Sequence, residues 1–317
     1  MKKILITGGI GYVGGRIIQH LLMVNPGITI DISSRREVDV NKIFNSDRVF
    51  LINSEELRDP GAPLRYVYDA IVHLAATNEI DAVVNTPESI QVNILNSYIL
   101  LQKAIAKSIK RFLYFSTAHI YGSPLKGIIS EEVCPKPMHP YAITHKAFED
   151  FLWAANQKQE IEGISVRLSN SFGPPAHAYV NRWTLLVNDL CRQAVTNKKI
   201  VLKSTGTQLR DFITLQDVSA AVEFLLNLDP VLLKDGIYNL GGNQVMSVFQ
   251  MAEIIQQRAQ LIFGVFIPIE RTEKIQTESV LPFEYISKKL ADNGFKWGNN
   301  SLIEIDATLK FCNEHFN

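Results

Sequence analysis

The chain opens on Lys3-Ile4-Leu5-Ile6-Thr7, continues through Gly8-x-x-Gly11-x-x-Gly14, and then repeats Ile17, Ile18, Leu21 and Leu22 at helical spacing. A short apolar run ended by glycines reads as a buried strand, and the three-to-four spacing from Gly15 to Val24 reads as a helix. Glycines at that junction permit a tight turn and leave backbone N–H groups free at a helix N-terminus, where a pyrophosphate can sit. A glycine triplet alone is a weak signal. The strand before it and the helix after it supply the context that strengthens it against an ordinary βα turn. Gly8, Gly11, Tyr12, Val13 and Gly14 are therefore candidate dinucleotide contacts.

The alternation continues along the chain. Apolar runs at 28–33, 48–52, 69–74, 111–115 and 164–168 read as strands, and 90–107 and 141–159 as long helices. Strands alternating with helices at this spacing imply parallel βαβ units in a doubly wound sheet. After Gly173 the rhythm changes. Pro174-Pro175 opens a segment with a helix expected over 183–196 and loops over 203–210, then a helix over 217–228 and a returning strand at 237–240. We expect an α/β chain with a dinucleotide-binding domain over 1–173 plus 211–243. A smaller, discontinuous C-terminal lobe over 174–210 plus 244–317 would take the substrate.

Composition narrows the function. Apolar residues make up 46% of the 317 and charged residues 20%, which excludes a disordered chain, a collagen-like chain and a coiled coil. Lys+Arg and Asp+Glu both number 32, so the basic excess of a nucleic-acid binder is missing. Cys134, Cys191 and Cys312 are few, odd in number and far apart, which suits a reducing compartment and matches no zinc spacing. The two lysines at the start precede only three apolar residues, too few for a signal peptide, and no run approaches the ~20 apolar residues of a membrane span. The expectation is a cytoplasmic, soluble protein without a membrane, nucleic-acid or metal partner.

A site that prefers NAD usually ends its second strand on an acid for the ribose 2′-hydroxyl. Here that strand runs into Ser34-Arg35-Arg36, and Asp31 falls mid-strand, where burial is expected. A guanidinium beside a serine suits a 2′-phosphate. Ser34 and Arg35 thus tilt the expected NAD(P) cofactor slightly towards NADP; solvated arginines beyond a strand end are the alternative.

Taken in order, the motifs resemble the extended short-chain dehydrogenase/reductase superfamily, and within it the nucleotide-sugar epimerase/dehydratase branch. They are Thr7-Gly8-x-x-Gly11-x-x-Gly14, His73-Leu74-Ala75-Ala76, Asn93, Ser116-Thr117-Ala118-His119-Ile120-Tyr121-Gly122, Pro140-Tyr141, Arg167…Asn170…Gly173-Pro174, Arg210-Asp211-Phe212 and Tyr238-Asn239-Leu240-Gly241. They extend from residue 4 to about 243. The resemblance implies a Rossmann sheet, with Leu74, Ala75, Ala76 and Asn93 beside the cofactor. It makes Tyr141 the catalytic acid/base and Thr117 the partner of the reacting sugar oxygen. Asn170 and Arg210 would meet the diphosphate of a nucleotide-diphosphate sugar. The chemistry agrees: a phenol of pKa ~10 must be made more acidic to move a proton near neutrality, and a guanidinium fork suits a diphosphate. An internal Arg210–Asp211 ion pair is the competing reading.

Two positions depart from the family. The pattern Tyr-x-x-x-Lys here reads Tyr141-Ala142-Ile143-Thr144-His145-Lys146, while Glu149 keeps the register. On a helix His145 lies over Tyr141, and Lys146 is rotated by roughly 100°. A neutral His145 would keep the ribose hydrogen bond and lose the lysine's charge; a protonated one would supply both. The second departure is Ala118-His119, where the 4,6-dehydratases of this branch carry Asp-Glu. Ala118 has no ionisable group, so dehydration is not expected. His119 is either a sugar-side acid/base or a packing residue.

The remaining histidines have plainer readings. His73 packs at its strand end near the adenosine ribose, and His177 is a candidate for the sugar pocket. His139 and His145 lack a carboxylate partner for a metal. The apolar faces over 94–106 and 148–155 suit either a homodimer or the core.

The expected function is hydride transfer between NAD(P) and a nucleotide-diphosphate hexose, most readily at C4, as a 4-keto-sugar reductase or the reverse dehydrogenase. A 4-epimerase that retains NAD is the first alternative. A non-catalytic dinucleotide-binding regulator is the second.

Overall fold

The computed structural model describes residues 3–34, 38–272 and 282–317. β1 (Lys3–Thr7), β2 (Thr29–Ser34), β3 (Val49–Asn53), β4 (Ala70–His73) and β5 (Arg111–Thr117) join the strands Glu162–Leu168 and Ile237–Leu240 in one seven-stranded sheet. All its pairings are parallel, and from one edge the order is Ile237–Leu240, Glu162–Leu168, β5, β4, β1, β2, β3. The strand order reverses between β1 and β4, the place where doubly wound sheets open a ligand crevice beyond their carboxyl ends.

Both faces of this sheet are covered, as near-continuous apolar strands require. Ile4, Ile6, Ile30, Ile32, Val72 and Leu113 pack with α1 (Tyr12–Val24) and the helix Leu215–Asn227 on one side. On the other, Leu5, Ile71, Phe112 and Tyr114 meet Leu100, Leu101, Ala104, Phe148 and Leu152. A separate core joins the helices Leu186–Thr196, Val248–Phe263 and Ser301–Phe316.

Where local signals were strong, elements lie within a few residues of expectation. Three differ. The helix Leu186–Thr196 starts three residues later than expected, because Trp183 lies in the preceding loop, buried against Phe311 and Phe316. The stretch expected to be loop ends in a strand, Leu209–Thr214, paired with Asn170–Phe172 and Val245–Ser247. The long helix expected over 90–107 begins as a π-helix, Ile90–Asn96, and becomes α-helical only over Ser97–Ala106. In the π-helix Asn93 turns inward to side-chain partners, and Ser97 Oγ donates back to the Val92 carbonyl at 3.3 Å.

The helix that follows the glycine loop is fastened to the C-terminal part of the chain. Tyr12 Oη donates to the Gly173 carbonyl at 2.9 Å and meets Asn188 Oδ1 at 3.2 Å. Arg16 donates to the Pro174 carbonyl and pairs with Glu304 at 2.8 Å. Gly173 has φ +145°, and a Cβ there would fall 2.1 Å from Glu304 Oε1, so both backbone conformation and space demand glycine.

Candidate active site

A cleft of about 1100 Å³ opens beyond the carboxyl ends of β1, β4 and β5. Gly8, Gly11, Tyr12, Val13 and Gly14 are among the residues that line it. Gly8 has φ +70°, and a Cβ on Gly14 would lie 2.4 Å from the Gly8 carbonyl oxygen, so the loop folds on itself more tightly than side chains allow. No side chain caps α1, which leaves its first N–H groups available to an anion. This cradle fits a dinucleotide pyrophosphate.

Thr117 and Tyr141 line the cleft with Ser116, His119 and His145. Tyr141 stands in the first turn of the helix Pro140–Gln157, which His139 caps. Burial, and then the negative charge of Glu79, push the Tyr141 phenol up to about 12, against the opposing pull of Arg182 and a hydrogen bond from Thr117. The greater acidity expected of this phenol is therefore not supplied by the chain's own groups. His145 adds no charge to that balance: it is buried, and burial, then His73, lower its pKa to about 3. The protonated form considered from sequence is thereby excluded near neutrality. His145 lies under Tyr141 as the helical spacing predicts, with ring centroids 4.4 Å apart. Its Nδ1 is 2.6 Å from Tyr114 Oη, and its Nε2 is buried with no hydrogen-bond partner. Lys146 points away and pairs with Asp150.

Arg210 lines the same cleft. Its one recorded hydrogen bond goes to Asn170 Oδ1 at 3.3 Å, and no carboxylate among the described residues is within ion-pair distance. The Arg210–Asp211 ion pair is not formed. Asp211 is fully buried and accepts instead from Ser169 Oγ and the Gly242 and Gln244 amides. Asn170 also lines the cleft and donates to the Asp211 carbonyl at 2.9 Å.

Several expected contacts lie elsewhere. Asn93 is buried away from the cleft: its Oδ1 accepts from the Thr77 amide at 2.8 Å and its Nδ2 donates to Thr144 Oγ1 at 3.0 Å. The π-helix presents it to those partners, which tie it to the loop after β4. His177 bonds the Ile10 carbonyl of the glycine loop through Nε2 at 3.0 Å and is not among the residues that line the cleft. His73 is buried between Thr7 Oγ1 and Ser97 Oγ, at 2.6 and 2.8 Å. Of the small residues after β4, Leu74 and Ala76 reach the cleft, while the Ala75 amide is turned to Thr7 Oγ1. Ser34 ends β2 away from the cleft wall, and Arg35 and Arg36 lie outside the described residues. Asp31 is buried as expected, accepting from Tyr68 Oη and paired with Lys3.

His119 Nδ1 is buried without a partner, and burial, then His139 and Arg210, lower its pKa. Sequence reasoning missed the ion pair between Glu79 and Arg182, 3.1 Å long, both of whose members line the cleft. The Thr77-Asn78-Glu79 segment carries only a helix-cap signal, and nothing local links it to Arg182. Among the described residues no cluster of three or more His, Cys, Asp and Glu side chains could hold a metal.

The model of the NAD dependent epimerase/dehydratase family matches residues 4–241. The chain belongs to this family. It is accordingly an enzyme of an NAD-dependent family. Among curated relatives, the dTDP-D-glucose 4,6-dehydratase of Bos taurus is 28% identical over 269 residues, covering 80% of this chain and 72% of that one. Among solved structures, the UDP-N-acetylglucosamine 4-epimerase from Methanobrevibacter ruminantium M1, in complex with UDP-N-acetylmuramic acid, superimposes with a TM-score of 0.80. It is 21% identical, with 98% of this chain and 97% of that chain covered. RMD from Pseudomonas aeruginosa complexed with NADPH gives a TM-score of 0.75 at 20% identity, covering 99% and 98%. No helix among the described residues is long and apolar enough to cross a membrane.

Proposed function

We propose that this family member transfers hydride between NAD(P) and a nucleotide-diphosphate hexose at C4, as a 4-keto-sugar reductase or the reverse dehydrogenase. The observation that carries this is the convergence of groups on one cleft: the glycine cradle, Thr117, Tyr141, and an Arg210 that makes no ion pair among the described residues. When bound, NAD(P) supplies the hydride donor or acceptor. The Gly8–Gly14 loop and α1 N-terminus hold its pyrophosphate, and His145 meets the nicotinamide ribose. Arg210 and Asn170 anchor the sugar diphosphate by charge-assisted hydrogen bonds. Thr117 orients the reacting oxygen, and Tyr141 Oη gives it a proton in reduction or removes one in oxidation.

Ala118, buried and without an ionisable group, together with neutral His119, supports a reaction other than the dehydration that the Bos taurus relative's name describes. A retained-NAD 4-epimerase is the second reading, supported by the fold likeness to the Methanobrevibacter epimerase. The lean to NADP rests on the Ser34-Arg35 sequence. We further propose a cytoplasmic homodimer. The helices Ser97–Ala106 and Pro140–Gln157 bury one face in the core and leave Tyr98 and Phe151 exposed, rings 5.0 Å apart.

The test is to denature the purified protein, identify any released dinucleotide and its redox state by mass, and titrate the emptied site with NADPH and NADH. Exchangeable NADPH together with turnover of a 4-keto nucleotide sugar supports the reductase. Stoichiometric retained NAD⁺ with no net reduction refutes it in favour of the epimerase. Cofactor binding with no hydride transfer to any nucleotide sugar leaves the regulator.

A further inference from the structure

Glu79 and Arg182 lie 103 positions apart and meet at 3.1 Å as an ion pair that lines the cleft, their side chains 39% and 27% exposed. Among the described residues, the lysines and arginines that line this cleft are Arg182, Lys203 and Arg210, and of the three only Arg182 pairs with a carboxylate. Two cations are thus left for the diphosphate of a nucleotide sugar, and the third is already neutralised.

Hydrogen bonds place the pair beside Tyr141. Glu79 opens the short helix Glu79–Val84, two residues after Thr77, and that helix packs against Pro140–Gln157, which carries Tyr141. The Thr77 amide donates to Asn93 Oδ1 at 2.8 Å, and Asn93 Nδ2 donates to Thr144 Oγ1 at 3.0 Å. Thr144 Oγ1 in turn lies 2.9 and 3.0 Å from the Pro140 and Tyr141 carbonyls. The local field agrees with this placement: the Glu79 charge acts on the Tyr141 phenol and on His119, and Arg182 acts on the phenol in the opposite sense.

Such a pair has a chemical preference. Its carboxylate accepts from a sugar hydroxyl and its guanidinium donates to one, so a neutral polyol is satisfied by both. A sugar carboxylate could reach the guanidinium only by facing Glu79 or displacing it, which opposes like charges or leaves Glu79 without its cation. We propose that Glu79 and Arg182 form a charge filter beside Tyr141, which selects a neutral nucleotide-diphosphate hexose over the corresponding uronic acid. Glu79 holds the place on Arg182 that the sugar carboxylate would take. The filter rests on the nucleotide-sugar reading above and adds to it the class of sugar.

The test is a ratio of affinities. UDP, dTDP, GDP, CDP and ADP are first ranked by calorimetry at neutral pH, and the tightest supplies the carrier whose glucose and glucuronic acid conjugates are then compared. The unsubstituted protein should bind the glucose conjugate at least as tightly as the glucuronic acid conjugate. Glu79→Gln leaves Arg182 charged and free, and should move the ratio towards the uronic acid by about tenfold, the worth of one hydrogen bond to a charged group. Arg182→Gln leaves Glu79 unopposed and should move the ratio the other way.

A merely structural role would weaken both conjugates alike, so an unmoved ratio in either variant overturns the proposal. So does an unsubstituted protein that prefers the glucuronic acid conjugate. The unsubstituted protein and Arg182→Gln decide the matter even if Glu79→Gln does not fold. Binding of none of the five diphosphates, or of neither conjugate, refutes the nucleotide-sugar reading itself, and the filter falls with it.

Discussion

Replacing His145 by lysine returns a positive charge to the helical turn below Tyr141, and the size of its effect follows from the geometry. The two rings lie 4.4 Å apart, one turn along the helix Pro140–Gln157. An ammonium about 6 Å from the phenol oxygen, at an effective dielectric of about 20, favours the phenolate by about 3 kcal/mol, roughly a hundredfold in its ionisation. Burying the ammonium and leaving the Tyr114 hydroxyl without its partner take back part of that gain. The net expectation is a Tyr141 phenol at least about tenfold more acidic than in the parent protein, where it stands at about 12. Oxidation of a nucleotide sugar requires the phenolate, so the single-turnover rate of NAD(P)⁺ reduction, followed by nicotinamide absorbance, should rise by the same factor below both pKa values. Its pH profile should move to lower pH. A His145→Lys protein that binds the dinucleotide normally but shows an unmoved profile would refute the argument that the missing charge limits Tyr141.

Three further outcomes are expected. His73 and His145 are held neutral down to about pH 3, so below about pH 6.5 only the unfolded chain protonates them, and each ring costs the fold about 1.4 kcal/mol per pH unit. Urea unfolding of His73→Gln should therefore show a shallower loss of stability on acidification, by about one proton; an unchanged slope sinks the assignment. Glu79→Gln should shift the Tyr141-dependent pH profile down and Arg182→Gln should shift it up, because the two charges act on the phenol in opposite senses; displacement of both variants in one direction contradicts this. Gly14→Ala places a methyl 2.4 Å from the Gly8 carbonyl oxygen and should abolish NADPH and NADH binding by calorimetry, and normal affinity would show that the loop does not cradle the dinucleotide.

What the sequence made legible was what a few consecutive residues determine. The strand–glycine–helix start is written in local spacing, and the Thr117, Tyr141, Asn170 and Arg210 motifs do fall on one cleft. The relation of His145 to Tyr141 followed from helical geometry alone. What local sequence did not foretell concerns groups whose partners are distant in the chain. Asn93, expected beside the cofactor, is held by the π-helix against Thr77 and Thr144. His177, expected at the sugar pocket, bonds Ile10, 167 positions away. The Glu79–Arg182 and Tyr114–His145 pairs join separate elements across 103 and 31 positions, and no periodicity encodes such a meeting. The acidity of Tyr141 was misjudged for a related reason: it depends on which charges surround the phenol, and burial with Glu79 outweighs Arg182.

The fastening of α1 sets a rule for building hybrids of such enzymes. Tyr12 and Arg16 stand within two turns of the glycine loop, yet their partners Gly173, Asn188 and Glu304 belong to the far half of the chain. An engineer who grafts the C-terminal half of a relative onto the N-terminal half of this chain would strand a buried phenol and a guanidinium unless those three partners travel with it. The two halves can be exchanged as modules only if the sequence of the first cofactor helix is exchanged with them.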